Sequence, residues 1–409
     1  MAEHFPLTRI PDSVRAIARR LQGAGHEAWY VGGAIRDVLL ADLGGRAPQR
    51  TGDFDIATSA RPEEVQSLFR RTVPVGIEHG TVAVLDDANV AHEVTTFRRD
   101  VMTDGRHAVV EFGVSLEDDL ARRDFTINAI AVHPETGELV DPFNGRSDLA
   151  AGLVRAVGDP SARMREDRLR VLRALRFAAT LEFTVDPGTW ASVMAFATEL
   201  DHLSRERVRD EWLKTLTTGR ASVTVGLWRR AGALPAVWPE LAALPPGMDE
   251  RLDQVVDADA VRVTAAALHL AGCESAAAEA AARRLRFPNR DIERIRRTVA
   301  ALARPLPDAA DARAVRRWLA AHVAEADDVL AIVEPRVHTA LAGAVRAERA
   351  AGAPLRLADL AVTGEDLMAA GVPAGPGLGA TLRRLLDAVL DDPACNTRDS
   401  LLALAKQAP

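Results

Sequence analysis

The sequence predicts an α+β protein in which a mixed head of about 150 residues precedes an all-helical remainder. Short runs of β-branched and aromatic residues, which favour strands, are concentrated before residue 153. After Leu153 strand signals almost vanish, and segments rich in alanine, leucine and arginine follow one another with helical spacing, interrupted by prolines. We therefore expect a head over 1–152, a helical neck over 153–218, a helical body over 219–335 and a helical tail over 336–409.

Length and composition set the broad class. A chain of 409 residues exceeds what one hydrophobic core usually holds. Cys273 and Cys395 lie far apart in sequence, which argues against a disulfide framework or a zinc cluster and fits a reducing cytoplasm. The N-terminal segment has no apolar signal-peptide core, and no apolar run approaches a membrane span. The net charge of −7 does not itself suggest nucleic-acid binding, but local arginine clusters matter more than the sum.

The head begins with an amphipathic helix over residues 11–26, and the segment that follows predicts a phosphate site. Trp29–Val31 reads as a strand, and Ala34–Leu40 has helical spacing. Gly32 and Gly33 between them lack a Cβ, so the backbone can turn tightly and approach a ligand. The first N–H groups of the helix have no partner within it and suit a phosphate. The guanidinium of Arg36 adds a bidentate contact to the same anion.

Two aspartates after this helix predict a metal site. Asp53 and Asp55 lie two residues apart, so on a strand they point to the same face. Carboxylates so placed repel unless a cation lies between them, and hard oxygen ligands suit Mg²⁺. On its own, a glycine turn before a helix is more often an ordinary turn. An Asp-X-Asp pair on its own is more often a solvated loop or strand end. In this order, about 20 residues apart, they predict a triphosphate cradle facing a metal site.

The rest of the head alternates short elements. SARPEEV predicts a helix over residues 59–69 with Ser59 as a possible N-cap. The segment RRDVMTDGRH, residues 98–107, reads either as a mobile loop or as a simple hairpin connection. Leu116–Arg122 predicts a short helix, and 125–133 should be mostly buried. The expected strands are Thr72–Val75, Thr81–Leu85, Ala91–Phe97 and Val109–Phe112, with Val140–Phe143 closing the sheet.

A pair of arginines beside an aspartate follows the short helix. Arg122, Arg123 and Asp124, with Asn128 nearby, can bind a phosphate and a ribose hydroxyl together. The alternative is a solvated helix end.

The segment from Arg163 to Ala179 predicts one arginine-rich helix. Each three-residue step rotates a side chain back by about 60°, so its polar residues fan around one half of the cylinder: Asp167, Arg170, Arg173 and Arg176. Val171, Leu172, Leu175 and Ala178 hold the other half and should face the core. These arginines have few acidic partners four residues away, so the helix should carry unbalanced positive charge. Such a fan suits a nucleotide, although an ordinary exposed arginine-rich face is equally compatible.

The first two polar residues of this fan could distinguish one nucleotide base from another. The carboxylate of Asp167 accepts from an exocyclic amine, and the guanidinium of Arg170 donates to a ring nitrogen or carbonyl. Cytosine and adenine both carry an amine next to an acceptor nitrogen, whereas guanine and uracil present a carbonyl there. The pair would therefore admit CTP and ATP and reject GTP and UTP.

Two later segments have plainer interpretations. Arg205–Lys214 places Arg207, Glu211 and Lys214 at helical spacing and is best read as a salt-bridged face that positions other helices. Residues 362–386 combine glycine and proline with a helix carrying two arginines. That segment suits either an RNA-phosphate contact or helix packing.

Together these motifs resemble the bacterial class II tRNA nucleotidyltransferases, which comprise CCA-adding enzymes and the related poly(A) polymerases. VGGAIRD with GDFDIATSA resembles the first family motif, RRDFTINAIA the ribose motif and EDRLRVLRALRF the EDxxR motif, in which the protein templates the incoming base. Arg205–Lys214 resembles the last, structural motif. The likeness covers about residues 25–215 closely and continues more weakly to the end.

The resemblance implies a polymerase β-like nucleotidyltransferase head and a role for each matching residue. Asp53 and Asp55 would be catalytic and bind Mg²⁺, and Glu93 is a weaker candidate for a third carboxylate. Gly32, Gly33 and Arg36 would hold the triphosphate, and Arg123 would contact the nucleotide. Asp167 and Arg170 would read the base, and Arg173 and Arg176 would complete the nucleotide site. Arg168, where proline is usual, and the bulky Phe54 depart from the pattern, and we expect both to be tolerated.

We therefore expect Mg²⁺-dependent, template-independent addition of CCA to tRNA 3′ ends from CTP and ATP, with release of pyrophosphate. The body and tail would contact the acceptor stem and elbow of tRNA by shape and backbone. Alternatives are a poly(A) polymerase, an enzyme adding only CC or only A, and, from another class, a non-catalytic RNA-binding relative. The chain has no His-Asp dipeptide, and AAALHLAG at 265–272 looks like a remnant, so we expect no phosphohydrolase activity.

Overall fold

The computed structural model describes residues 4–44, 54–103, 108–217, 220–255, 259–333 and 335–407. The chain divides into two compact units, Met1–Pro239 and Glu240–Pro409. Asp53 and residues 104–107 of the segment predicted as a loop or hairpin connection lie outside the described residues.

The main sheet lies in the first unit and has the strand order β3-β4-β5-β2-β1-β8-β9 within the described residues. Strands β1 and β2 are antiparallel with Val31 opposite Asp55, and β2 and β5 are parallel with Ile56 opposite Val94. The strands of the chain are β1 Ala28–Val31, β2 Asp55–Thr58, β3 Thr72–Gly76, β4 Thr81–Leu85, β5 Ala91–Thr96, β6 Arg98–Thr103, β7 Ala108–Phe112, β8 Ala131–Val132, β9 Leu139–Val140, β10 Leu153–Val154 and β11 Thr184–Val185.

Helices account for most of the chain after the head. Those of the first unit are α1 Asp12–Gly23, α2 Gly33–Asp42, α3 Pro62–Leu68, α4 Leu116–Ala121, α5 Gly145–Ala151, α6 Pro160–Glu166, α7 Leu169–Leu181, α8 Pro187–Phe196, α9 Arg205–Leu216, α10 Ala221–Ala231 and α11 Ala233–Val237, and α12 Pro239–Ala242 follows at the boundary. Those of the second unit are α13 Ala260–Leu270, α14 Ser275–Arg284, α15 Asn289–Leu302, α16 Ala312–Ala321, α17 Ala326–Ile332, α18 Pro335–Ala350, α19 Gly364–Ala369, α20 Pro376–Asp391 and α21 Arg398–Lys406.

The predicted fold class is confirmed. Helix α1 buries its predicted apolar stripe, and strands after residue 153 are limited, among the described residues, to the short pair β10 and β11. One apolar cluster of the head combines short side chains of β1, β2 and β8 with larger ones from flanking segments, namely Val31, Ala57, Phe97, Leu120, Ala129, Ala131 and Val157. Residues 124–132 are buried, as predicted for 125–133, and this segment forms one wall of the cavity described below.

Two local predictions in the head are wrong. Helix α3 begins at Pro62, because proline favours the first helical position, and the hydroxyl of Ser59 instead accepts from the Glu27 N–H at 2.8 Å. Residues 98–103 form strand β6, which pairs with β7 and places Arg98 opposite Phe112. Of the two interpretations of this segment, the hairpin connection is closer to the structure for residues 98–103, because β6 pairs antiparallel with β7.

The second unit is helical throughout its described residues and has its own apolar clusters. One joins α16, α17 and α18 through residues such as Leu319, Val329 and Leu341, and another joins α20 and α21 through Leu385 and Leu401. Across the described part of the chain, no helix has both the length and the apolar character needed to cross a membrane.

Candidate active site

A cavity of about 720 Å³ opens in the first unit between the sheet, α2, the segment after α4, and α7. All predicted site residues that the structure describes line this cavity. They are Gly32, Gly33, Arg36, Asp55, Arg123, Asp167, Arg170, Arg173 and Arg176. Asp53 lies outside the described residues, so its position relative to the cavity stays a prediction.

Gly32 and Asp55 form one end of the site. Gly32 has a φ of 87°, and a Cβ added to it would lie 2.4 Å from Asp55 Oδ2. The pairing of Val31 with Asp55 therefore places this carboxylate against the glycine bend, and only glycine fits there. Helix α2 starts at Gly33 without a side-chain cap, so its first N–H groups retain hydrogen-bonding capacity for an anion.

A second carboxylate lies on the neighbouring strand. Asp55 and Glu93 each precede the paired residues Ile56 and Val94 of the parallel strands β2 and β5, and both line the cavity. Oxygen ligands of this kind are the ones Mg²⁺ prefers, so the residues present fit such an ion. Within the described ranges, no group of three or more His, Cys, Asp or Glu side chains is placed to hold a metal.

Arg36 is held rigidly beside this end. It is 7 % exposed, and its Nε and Nη1 donate to Asp37 Oδ1 at 2.8 Å and to Asn128 Oδ1 at 2.9 Å. Its guanidinium also stacks on the Phe177 ring, 4.9 Å from the ring centre. Because a guanidinium has five N–H donors, Arg36 retains donors for a phosphate while its orientation is fixed.

The arginine pair after α4 is anchored by a carboxylate that sequence reasoning did not single out. Asp119 is 1 % exposed and accepts from Arg122 Nη2 at 2.6 Å and from Arg123 Nη2 at 3.2 Å. Burial raises the pKa of Asp119, but the two arginines outweigh it and hold that pKa below its usual value. Both arginines are mostly buried and line the cavity, in contrast to a solvated helix end.

Asp124 links this segment to α7. Its carboxylate accepts from Arg173 Nε at 2.6 Å and from Asn128 Nδ2 at 3.0 Å, with 8 % of the residue exposed. Burial opposes ionisation, but the Arg173 charge and the Asn128 amide lower the pKa of Asp124 to about 2. Asp124 is therefore an ionised carboxylate that fixes Arg173.

The predicted continuous helix from Arg163 to Ala179 is interrupted. Helix α6 ends at Glu166, Asp167 is extended with φ −146° and ψ 106°, and α7 begins at Leu169. The cause is local, because Asp167 Oδ1 accepts from the Leu169 N–H at 2.9 Å and so competes with continuation of the helix. Arg168 has a φ of −58°, within the range that proline imposes, so this position accommodates either residue.

The two residues expected to read the base are both tethered. Asp167 Oδ2 accepts from Arg207 Nη2 at 2.7 Å. Arg170 donates to Glu166 Oε2 at 2.9 Å and to the carbonyl oxygen of Arg122 at 2.8 Å. Arg207 was predicted only as part of a salt-bridged face, yet it holds Asp167 across 40 positions of sequence, which no helical spacing could indicate.

The predicted excess of positive charge on α7 is wrong. Arg173 pairs with Asp124 and also lies 4.0 Å from Glu211 Oε1, and Arg176 Nε donates to Glu211 Oε2 at 2.6 Å. Glu211 is 2 % exposed and comes from α9. Spacing along one helix missed these partners because they come from other elements. The expectation that Arg205–Lys214 positions other helices agrees with these contacts.

Phe177 is a further residue that the sequence prediction missed. Its ring lies under the guanidiniums of Arg36, Arg173 and Arg176, with distances to its centre of 4.9, 5.4 and 4.1 Å. Such contacts are attractive and orient the cations. The only available signal was an aromatic residue next to Arg176 in the arginine-rich segment. Thr81, Thr95, Arg98 and Lys214 also line the cavity.

Comparison with known proteins agrees with this arrangement. Residues 28–155 match the family described as "Poly A polymerase head domain", residues 182–244 the one described as "Probable RNA and SrmB- binding site of polymerase A", and residues 259–405 a tRNA nucleotidyltransferase domain 2. The CCA-adding enzyme of Levilactobacillus brevis is 36% identical over 418 aligned residues, 98% of both chains. That of Latilactobacillus sakei is 36% identical over 95% of this chain and 96% of its own.

Solved structures lead to the same family. The Bacillus stearothermophilus CCA-adding enzyme in complex with CTP superposes with a TM-score of 0.81 at 30% identity, over 98% of both chains. The Thermotoga maritima CCA-adding enzyme complexed with tRNA has a TM-score of 0.67 at 19% identity over the full length of both chains, and so shares the fold. From its sequence relatives and its fold together, the chain belongs to the CCA-adding enzymes, a family of tRNA nucleotidyltransferases.

Proposed function

We propose that this chain adds C, C and A to the 3′ ends of tRNA from CTP and ATP, and that the cavity of the first unit is where it does so. The observation that carries the assignment of the site is the convergence of the nine described candidate residues on that one cavity. The sequence alone left poly(A) synthesis, addition of only CC or only A, and a non-catalytic RNA-binding role as alternatives. Similarity to CCA-adding enzymes over nearly the whole chain favours CCA addition over each of them.

Phosphate binding is assigned to the end of the cavity formed by α2. The N–H groups after Gly32 and the remaining donors of Arg36 would hold the triphosphate of the incoming nucleotide. Arg123, on the other wall, would contact the nucleotide as well. Because these donors are fixed by buried partners before substrate arrives, little conformational freedom is lost on binding.

Base reading is assigned to Asp167 and Arg170. Asp167 has one oxygen held by Arg207 and the other by the Leu169 N–H, and each oxygen keeps a lone pair for an exocyclic amine. Arg170 keeps donors for the acceptor nitrogen beside that amine. A pair fixed in this way would accept cytosine and adenine and leave guanine and uracil with unmatched polar groups.

The transfer step is an in-line displacement. The 3′-hydroxyl oxygen of the tRNA attacks the α-phosphorus, the bond to the bridging oxygen breaks and pyrophosphate leaves, while the hydroxyl proton passes to solvent water. Asp53 and Asp55, with Glu93 as a further candidate, would hold Mg²⁺. When bound, this ion would supply positive charge for the nucleophile and the leaving pyrophosphate. We propose Mg²⁺ as this ion, because carboxylate oxygens are hard ligands that suit it.

Two further assignments accompany this activity. We place the protein in the cytoplasm, because its proposed substrates are tRNA, CTP and ATP and its two cysteines are not paired. We also propose that the chain is organised as a head over 1–152, a neck over 153–218, a body over 219–335 and a tail over 336–409. In this division the body and tail contact the acceptor stem and elbow of tRNA.

The test supplies each NTP separately to tRNA lacking CCA, to tRNA lacking only the final A and to an oligo(A) primer, and reads product lengths. Extension by CC with CTP alone, by A with ATP on the second substrate, and no elongation of oligo(A) is the expected pattern. Asp55→Ala should reduce addition at least about 100-fold, whereas Asp42→Ala, an exposed position at the end of α2, should not. Full activity of Asp55→Ala would refute the site, and processive elongation of oligo(A) would favour the polymerase.

A further inference from the structure

Lysine is rare in this chain, and one of its lysines lines the candidate active site. Of the 51 lysine and arginine residues, only Lys214 and Lys406 are lysines. Lys214 lies in the last turn of α9 and forms part of the wall of the cavity in the first unit. The proposed function assigns it no role, and its ammonium differs in chemistry from the guanidiniums around it.

The arginines that line the cavity are held in place, whereas Lys214 is held only loosely. Each of these arginines donates a hydrogen bond to a protein oxygen. The ammonium of Lys214 lies 3.9 Å from Glu211 Oε1, beyond hydrogen-bonding distance, and 62 % of its side chain is exposed. Its three N–H donors sit on a flexible stem of four carbons, so they can turn towards a ligand in the cavity.

Helix α9 runs beside α7 in the same direction, which places Lys214 along the cavity. Arg207 of α9 holds Asp167 at the base-reading end, and Glu211, about one turn later, holds Arg176. Lys214 follows Glu211 by three residues and therefore lies on the same face, still farther from the base-reading end. Arg207 and Lys214 are seven positions apart, about 10 Å along the helix. This separation suits a nucleotide that extends from its base to its outer phosphates.

The end of the cavity near Lys214 is the one to which phosphate binding is assigned. Arg176 and Arg36 stack on the same Phe177 ring, 4.1 and 4.9 Å from its centre. Arg36 belongs to the first turn of α2, which begins at the glycine bend. The contacts of Glu211 with Arg176 and of Arg176 with Phe177 thus connect Lys214 to the triphosphate end of the cavity.

The charges around Lys214 favour an anion. Arg173, Arg176 and Lys214 all lie within 4.0 Å of the carboxylate of Glu211, and Asp124 also holds Arg173. These five side chains carry three positive charges and two negative ones. Glu211 is 2 % exposed, and its Oε2 already accepts from Arg176 at 2.6 Å. A phosphate oxygen would give the ammonium the close partner that this shared carboxylate does not provide.

We propose that the ammonium of Lys214 binds the outer phosphates of the incoming nucleoside triphosphate and the pyrophosphate that leaves. The inference deepens the proposed function and rests on it, because it adds a substrate-binding residue to the same cavity. A compact ammonium on a flexible stem suits this role, since it can stay with a phosphate group that moves away from the nucleotide. The other phosphate that could reach this place is the terminal phosphodiester of the RNA, and the experiment distinguishes the two.

The experiment compares binding of CTP and CMP to the full-length protein by calorimetry, with Mg²⁺ and without tRNA. Lys214→Met removes the charge but keeps an unbranched side chain, so it should weaken CTP binding about tenfold and leave CMP binding unchanged. Lys214→Arg keeps the charge and should weaken CTP binding by no more than about threefold. Lys406→Met is the matched control, because it makes the same change at an exposed lysine of the second unit that does not line the cavity.

Steady-state kinetics tests whether Lys214 acts on phosphate or only supports Glu211. In Lys214→Met, the KM for CTP and the KM for ATP should rise to the same degree, because both nucleotides carry the same triphosphate. Inhibition by pyrophosphate should weaken in parallel. Discrimination against UTP, the KM for tRNA and the free energy of unfolding in urea should equal those of the wild type, since the side chain is exposed and makes no base contact.

The outcomes separate this inference from the proposed function. Equal losses of CTP and CMP affinity, or a less stable Lys214→Met, would assign Lys214 a structural role and overturn the phosphate contact. A raised KM for tRNA with unchanged CTP affinity would assign the ammonium to the RNA, and an arginine variant as weak as the methionine one would exclude an electrostatic contact. Each of these results leaves nucleotide addition by the wild type intact. Absence of that addition would refute the function, while the binding comparison would still decide the contact.

Discussion

Gly32 shows how a single missing side chain shapes the candidate site. Its φ is 87°, and the atom that any other residue would add there meets the carboxylate of Asp55 at 2.4 Å. Two requirements thus coincide at one position, a backbone conformation that favours glycine and space for a carboxylate. The consequence is that Asp55 can lie against the bend that precedes α2.

Gly32→Ala should therefore displace Asp55 and lower kcat at least about 100-fold. The loss in the free energy of unfolding should be smaller than the corresponding loss of transition-state stabilisation. The measurement is the rate of CMP incorporation into tRNA lacking CCA, with unfolding followed in parallel. Gly25→Ala is the control, because Gly25 also has a positive φ, 88°, but a Cβ there meets nothing within 4 Å. Equal activity losses in the two variants would show that backbone strain, and not the contact with Asp55, explains the effect.

Asp124 provides a prediction about pH. Its pKa in the folded protein is about 2, below the value of 3.8 for an unperturbed aspartate, so the folded state binds the proton less tightly. This difference in pKa contributes about 2 kcal/mol to the free energy of unfolding. The contribution is fully present above about pH 4 and is lost as the pH falls through about 2. Urea unfolding between these pH values measures it.

Asp124→Asn isolates this contribution. The variant should be less stable than the wild type at pH 7, because Arg173 loses a buried charged partner, and the difference should shrink as the pH approaches 2. A difference in unfolding free energy that stays constant with pH would contradict the assignment of the low pKa to Asp124.

At the scale of elements, α9 supports α7 and the α6–α7 junction from behind. Arg207 holds Asp167, and Glu211 holds Arg176 while lying near Arg173. The interruption between α6 and α7 matters for the same reason, since it places Asp167 before the helix instead of on it. The candidate base-reading pair is thus set by two elements that meet, and not by the face of one helix.

Arg207→Ala should relax the choice of nucleotide more than it reduces rate. Without the hydrogen bond at 2.7 Å, Asp167 would lose its fixed orientation, and UTP and GTP incorporation relative to CTP should rise about tenfold. The measurement is kcat/KM for each NTP, compared with Asp167→Ala, which should relax selection at least as much. Arg205→Ala on the same helix, whose partner is the exposed Asp201, should leave selection unchanged. Unaltered discrimination in Arg207→Ala would rule out this positioning role.

At the scale of the whole molecule, each compact unit has a buried ion pair of its own. In the first, Glu211 pairs with Arg176. In the second, Asp328 is 5 % exposed and accepts from Arg262 Nε at 2.8 Å and Arg294 Nε at 2.6 Å. Units with separate cores need not unfold in one step.

Calorimetry should therefore resolve two thermal transitions. Glu211→Gln should lower one of them and Asp328→Asn the other, each through loss of about 3 kcal/mol from a buried pair with a missing charge. Asp210→Asn, adjacent to Glu211 but half exposed, should change either transition by less than about 1 kcal/mol. A single transition lowered equally by both buried variants would show that the units unfold together.

Much of this protein followed from local pattern in the sequence. Strand and helix periodicity predicted the mixed head and helical remainder. The glycine bend with its following helix, the acidic pair at 53 and 55, the arginine pair at 122 and 123 and the arginine-rich segment predicted candidate residues, nine of which line one cavity. These signals succeed because turns, strand alternation and helix spacing depend on neighbours within a few positions. Even so, the Asp167 interruption was missed, because a side chain competing for one backbone N–H leaves no periodic trace.

Only the tertiary structure decided which charges meet. The arginines of α7 looked unbalanced along the helix, yet Asp124 lies 49 positions before Arg173 and Glu211 lies 35 after Arg176. The register of β1 against β2 placed Asp55 beside Gly32. The buried Asp119 anchors Arg122 and Arg123, and Phe177 lines the cavity beneath the arginines. Electrostatic pairing and burial depend on distance in space, so one sequence gives the kinds of side chain present but not their partners.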